Sequence, residues 1–302
     1  MRTAFINELS ALAREKAELF LVVGDLGFSV TESYAKEFPL RFLNAGVAEQ
    51  NMTAVAAGLA SEGWHVFTYS IANFPTIRCA EQIRNDVAYH NLSVTVVAVG
   101  GGLAYGNLGY SHHAVQDMAL MRSLPGMLVA APGDPAETRA CLRYLVAHPR
   151  PSYLRLGKAG EPAVHLSDVE VAPGKLLPYA NQDKEPNLLL TTGATLKLAH
   201  SVWSTLPTGR WLLASLPLWG EHTKAEVGAE LARFRKVVTV EDHLRAGGFG
   251  SYIQEAVSDT GGHILVKSLA LSPSVCGMVA TQSVLNEQGG LSAEQLRALL
   301  VE

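Results

Sequence analysis

Residues 41–52 (RFLNAGVAEQNM) run from an apolar, strand-like stretch through a glycine and deliver the carboxylate of Glu49 into the first turn of a helix. Beyond it Met52, Val55, Ala56, Leu59 and Ala60 recur at helical spacing, and small side chains let neighbours pack close to that helix. A glutamate at a helix mouth interacts favourably with the helix dipole. A carboxyl group held there is also a proton donor and acceptor. A second stretch, residues 100–113 (GGGLAYGNLGYSHH), follows a strand and is too rich in glycine for regular structure, so its backbone approaches something closely or moves. It ends in His112 and His113. Adjacent side chains diverge and no spaced third ligand is obvious, which disfavours a metal site; a structural pair with buried partners stays open. Between the two stretches lies Phe74, in residues 69–78 (YSIANFPTIR), which by type alone reads as a core aromatic.

The elements that must position these residues alternate along the chain. Residues 5–17 read as an amphipathic helix and 19–25 as a buried strand ending in an acid. Strand-like runs at 65–71, 93–99, 127–131 and 152–156 interleave with helical patterns at 48–62, 76–90 and 134–147, the signature of a parallel sheet covered on both faces. Ligands on such sheets sit at the carboxyl ends of the strands. Asp134-Pro135-Ala136-Glu137 predicts a helix start, with a cap, a proline at the first position and an acid at the third. From about 158 to 186 the pattern lapses into Gly, Pro and charged residues, a connection between domains. A second unit follows, with strands at 188–191, 211–215, 237–240 and 264–269, helices near 194–206, 223–234 and 249–258, and a short final helix capped by Ser292. The expected fold is α/β: two consecutive three-layer domains, residues 1–165 and the smaller, Rossmann-like 187–302, joined by a linker at 166–186.

The 302 residues are 48% hydrophobic and 17% charged, enough to bury large cores, and the formal charge is -4. No basic stripe with interleaved aromatics occurs, which excludes nucleic-acid binding. No apolar run reaches the length of a membrane span and the first residues lack a signal-peptide hydrophobic region, so the cytoplasm is the expected compartment. Cys79, Cys141 and Cys276 are far apart and odd in number, which fits buried thiols better than disulfides.

The motif GVAEQNM resembles the segment of transketolase-type thiamine-diphosphate enzymes whose glutamate faces the cofactor's aminopyrimidine ring, and Glu49 falls on that glutamate. The resemblance extends over nearly the whole chain, as the pyrimidine-binding and C-terminal parts of a full transketolase. It implies that Phe74 stacks on the aminopyrimidine, that Ile71 and Ile77 wall it, and that Asp25, beside Asp-Leu-Gly, lies near the thiazolium. The loop ending at His112 is similar to the family's Gly-x-Thr-His loop, making His112 a catalytic candidate that contacts the substrate. Arg2, Ser29 and Arg155 align with phosphate or substrate contacts, although each could equally form an ion pair or interface contact. Arg78, Glu81 and Arg84 read as a helix-face charge network or a subunit contact. Leu108 stands where sugar-phosphate transketolases carry an acid, and Gly100 or a neighbour replaces an upstream substrate-contacting histidine, which points to altered acceptor choice. The turn 247–251 (GGFGS) is a weak nucleotide-binding signal; the resemblance assigns that domain to packing and dimerisation.

Family members hold the diphosphate through a metal on a Gly-Asp-Gly motif followed by Asn, and this arrangement is missing from the sequence. A diphosphate needs a cation or backbone donors. The resemblance therefore implies a separate N-terminal-type subunit that binds Mg2+ and shares thiamine diphosphate with this chain, in a heterotetramer of two of each. The expected activity is two-carbon transfer from a ketose phosphate to an aldehyde. The alternatives are the β subunit of a 2-oxo acid dehydrogenase, a carboligase resembling deoxyxylulose phosphate synthase, and a noncatalytic regulatory or scaffold subunit.

Overall fold

The strands are short, almost wholly apolar runs because most are covered on both faces; Val94–Val99, for example, is buried along its whole length. The computed structural model describes residues 1–158, 160–180 and 185–301. In chain order the strands are β1 (Leu19–Val23), β2 (Phe42–Asn44), β3 (His65–Ile71), β4 (Val94–Val99), β5 (Leu128–Ala130), β6 (Ser152–Leu156), β7 (Leu177–Pro178), β8 (Asn187–Thr191), β9 (Trp211–Ser215), β10 (Leu218–Trp219), β11 (Lys236–Leu244) and β12 (Leu265–Leu271). They form a seven-stranded sheet in the order β10-β5-β6-β4-β3-β1-β2 and a five-stranded sheet in the order β12-β11-β8-β9-β7. Only β10 and β7, each at a sheet edge, run antiparallel to their neighbours.

Alternation across the first sheet assigns each face its own core. Leu21, Val23, Val97 and Val99 pack with Phe5, Leu9, Leu142 and Leu145 from the helices Arg2–Glu15 and Pro135–Ala147. Val22, Val96 and Ala98 point the other way, onto Met52, Ala56 and Ile83. That second core runs without a break into Leu188, Leu212, Trp219 and Tyr252 of the second unit. The helix start read at Asp134 is present: Asp134 Oδ1 accepts from the Glu137 amide at 2.9 Å, with Pro135 as the first helical residue.

Two features depart from the sequence reading. Leu218–Trp219 leaves the second unit and pairs with β5 of the first sheet; two residues are too few to show an alternation. The connection read at 166–186 is not structureless, because Leu177–Pro178 within it pairs with β9. Residues 181–184 of that connection lie outside the described residues.

The junction of the two units carries a buried ionisable group. Glu137 accepts from the Gly133 amide at 2.6 Å and from the Ser215 hydroxyl of the second unit at 3.0 Å, while its Oε1 has no hydrogen-bond partner. Asp134 Oδ2 accepts from the His165 amide at 2.7 Å and lies 3.2 Å from His165 Nδ1. Burial pushes the Glu137 carboxyl up from 4.5 to about 7. Against the opposing effect of burial, the neighbouring carboxylates raise His165 above its ordinary value, and its hydrogen bonds hold Asp134 below its own. A carboxyl raised in the folded state binds more protons there than in the unfolded chain. Its contribution is therefore complete below pH 4.5 and is lost as pH rises through about 7. His165 acts in the same direction, and Asp134 acts only at more acidic pH. The urea midpoint is expected to fall across that window, and Glu137→Gln, which fixes a neutral side chain, to flatten the profile; an unchanged slope in the variant would reject Glu137 as the cause.

Candidate active site

The carboxyl end of the first sheet gathers most of the residues singled out by the sequence. Glu49 is the first residue of the helix Glu49–Ser61, and its N-cap, Ala48, has no side-chain acceptor to offer the helix amides. The Glu49 side chain folds back under the end of β1, where it is 2% exposed. It packs beside Gly24, where a Cβ would make ordinary contact with Glu49 Cγ at 3.4 Å and Ser70 Oγ at 3.5 Å. Ser70 Oγ and Tyr69 Oη, both on β3, are buried without hydrogen-bond partners. Among the described residues, the side chain paired with the Glu49 carboxylate is Arg78, whose Nη1 donates to Oε2 at 2.6 Å.

Phe74 is half-buried in the turn after β3, and the Arg78 guanidinium carbon lies 4.4 Å from its ring centroid. His112 meets the same ring edge-on, with centroids 5.1 Å apart. Asn73 fastens the histidine loop to this turn by donating to the carbonyls of Ser111 and His113 at 3.1 and 2.7 Å. Burial, followed by the charges of His113 and Arg78, lowers the pKa of His112, so its imidazole is biased toward the neutral form. His113 is fully buried, with Nε2 3.4 Å from the Gly106 carbonyl and Nδ1 without a hydrogen-bond partner. Phe74, Ile77, Arg78, Tyr110 and Gln116 help line an open cavity of about 490 Å³.

A separate, smaller cavity of about 170 Å³ is lined by Arg2, Phe28, Tyr69, Ile71 and Tyr105 among others. The structure thus brings Arg2 and Ile71 together, in a different cavity from Phe74 and Ile77. Asp25 (φ +54°) is exposed at the end of β1, held by Asn44, which donates to its Oδ1 at 2.9 Å. Ser29 (φ +62°) is exposed on the following loop, its amide bonded to Glu32 at 2.7 Å. Gly100 (φ +80°) lies against Tyr105, whose ring a Cβ there would overlap, and Leu108 is exposed.

Arg155 requires a correction. Sequence alignment with a substrate contact places it at a ligand, but it is 2% exposed, with every guanidinium nitrogen engaged. Nε donates to Asp117 at 2.7 Å, Nη1 to Asp242 at 2.5 Å, and Nη2 to the carbonyls of Ala114 and Asp242 at 3.0 and 3.2 Å. Burial disfavours charge on Asp117, yet the adjacent guanidinium overrides it and holds that carboxyl below its usual range. Arg155 is therefore the ionic tie between the histidine loop and the second unit. Arg78 is corrected in the opposite sense: its partner is Glu49, not a neighbour on its own helical face.

Residues 1–160 match the family model described as the transketolase pyrimidine binding domain. The chain belongs to the transketolase family. It is 34% identical to one of the subunits of the apulose-4-phosphate transketolase of Phocaeicola vulgatus, over 85% of this chain and 83% of that one. It is 32% identical to a putative transketolase C-terminal section of Methanocaldococcus jannaschii, over 100% of this chain and 95% of that protein. Among solved structures, a split gene transketolase described as an inactive beta4 tetramer superposes with a TM-score of 0.84 at 32% identity, covering 99% of this chain and 96% of that one. The chain is accordingly a subunit of the thiamine-diphosphate-dependent transketolase type, and the relatives of matching length are separate subunits or sections. Its residues fit the aminopyrimidine end of that cofactor: a buried carboxyl, an aromatic face beside it, and unpartnered hydroxyl groups on β3. The Gly-Asp-Gly motif for a diphosphate-bound metal is not in the sequence.

Proposed function

We propose that the chain is the C-terminal-half subunit of a split transketolase, moving a two-carbon glycolaldehyde unit from a ketose phosphate to an aldehyde acceptor and active only with an N-terminal-type subunit. The observation that carries this reading is the buried Glu49 carboxyl beside Phe74 and His112, in a chain without the motif that would grip a diphosphate. Residues 1–165 serve as the pyrimidine-binding domain, 166–186 as the linker and 187–302 as the transketolase C-terminal domain. Thiamine diphosphate supplies carbanion chemistry at its thiazolium carbon when bound. Glu49 holds a proton at the aminopyrimidine N1′, Phe74 offers a stacking face, Ile71 and Ile77 exclude water, and Asp25 lies toward the thiazolium. His112, biased neutral, can take up or return a proton at a substrate oxygen. Arg2 and Ser29 serve as contacts for an anionic substrate end. Mg2+ belongs to the partner subunit, in a cytoplasmic heterotetramer of two chains of each kind.

The sequence match to deoxyxylulose-phosphate synthases favours a second reading, a carboligase using pyruvate. The chain is 30% identical to the Arthrobacter enzyme over 97% of its own length and 45% of that protein. Coexpression with candidate partner frames, followed by a donor and acceptor screen with magnesium and thiamine diphosphate, separates the two. Apulose 4-phosphate, named in the Phocaeicola relative, is a first donor for the screen. Two-carbon transfer from a ketose phosphate is the expected result. Carbon dioxide release from pyruvate would select the second reading, and turnover by the chain alone would reject the need for a partner.

A further inference from the structure

The Arg78 guanidinium makes the same two contacts that the proposed function assigns to a heterocycle. It donates to Glu49 Oε2 at 2.6 Å and its Cζ stands 4.4 Å from the Phe74 ring centroid. A guanidinium is planar, delocalised and an N–H donor, and it stacks on aromatic faces. An aminopyrimidine bonded to Glu49 and laid on Phe74 would need the same oxygen and the same ring. The Arg78 side chain is 46% exposed, against 2% for Glu49, so it can turn out into water while the carboxyl stays fixed. Among the described residues Arg78 has no other ion pair.

We infer that Arg78 is an autoinhibitory latch, an internal stand-in for the aminopyrimidine that keeps Glu49 and Phe74 in position and must be displaced before a pyrimidine can bind. The inference rests on the proposed function. It adds that the site competes with its own side chain: apparent affinity is the intrinsic affinity multiplied by the fraction of chains with Arg78 turned out. The latch also reverses the Glu49 hydrogen bond. Glu49 accepts from Arg78, whereas toward an aminopyrimidine N1′ it would be the donor.

The test uses hydroxymethylpyrimidine, the neutral aminopyrimidine half of thiamine, which needs no diphosphate grip, titrated calorimetrically into the full chain. Arg78→Met is expected to bind it about tenfold more tightly than wild type, in keeping with the loss of one half-exposed ion pair and one cation–π contact. Arg78→Lys, which keeps the charge but not the planar stack, is expected to fall between them. Added salt should strengthen binding to wild type by screening the latch and leave Arg78→Met unchanged. If wild type binds in a Glu49-dependent way, tested with Glu49→Gln, and Arg78→Met binds no better, the latch is overturned while the proposed function stands. If neither wild type nor Arg78→Met binds the probe, the latch is overturned, while the proposed function is decided by the donor and acceptor screen with the partner subunit present.

Discussion

Replacing Glu49 with alanine is expected to lower the turnover of the chain reconstituted with its partner by about a hundred- to ten-thousand-fold, the range of positioned acid–base groups, while leaving stability nearly unchanged. The second half of this expectation distinguishes it from a general packing defect. Glu49 is buried, but its ionic partner Arg78 is half exposed and rehydrates when the carboxylate is removed. The helix Glu49–Ser61 keeps its first turn, because its N-cap, Ala48, is set by backbone geometry and not by the Glu49 side chain. Steady-state kinetics with saturating thiamine diphosphate, paired with a urea denaturation curve, give both readouts. Full activity in the variant would instead make this a scaffold chain.

Arg155→Met is expected to have the opposite profile: a loss of about 3–5 kcal/mol of stability, the usual consequence of breaking a buried ion pair from one side. The substitution leaves Asp117 and Asp242, 0% and 3% exposed, without their cation. Asp117 retains only the Tyr153 hydroxyl as a donor close at hand, and both carboxylates must then protonate or open the junction. Gly101 packs directly on the guanidinium, where a Cβ would overlap it, so the strand end and the histidine loop loosen together. The measurement is the urea midpoint of the purified chain. A stable Arg155→Met chain that has lost only substrate affinity would restore the substrate-contact reading and reject the structural one.

The two variants show which parts of the site could be read from one dimension. Glu49 was singled out through the resemblance of GVAEQNM to the family's segment, since by type and position alone it reads equally as a helix-dipole acid; the fold buries it. Phe74 reads by type as a core aromatic and only the resemblance singled it out; the structure sets it against His112. Arg155 stayed open between substrate contact and ion pair because an arginine at a strand end looks the same whether it faces a ligand or two aspartates 38 and 87 residues away in the chain. Arg78 was misread for a related reason. Helical periodicity directs it along its own face, whereas the helical run there opens with the tight turn Ile77–Cys79 and closes with the wide turn Ile83–Ala88.

Apolar runs of strand length alternating with helical patterns determined two parallel α/β units, and the helix starts at Asp134 and Ser292 were written in local capping chemistry. Such features depend on neighbours within a few residues and survive in the sequence. Tertiary structure alone decided that Leu218–Trp219 joins the first sheet, that one core runs through both units, and which charges are paired inside the junction and which at the open end of the sheet. Burial and ion pairing depend on what long-range folding brings alongside a side chain, and a charged residue carries no local record of its partner.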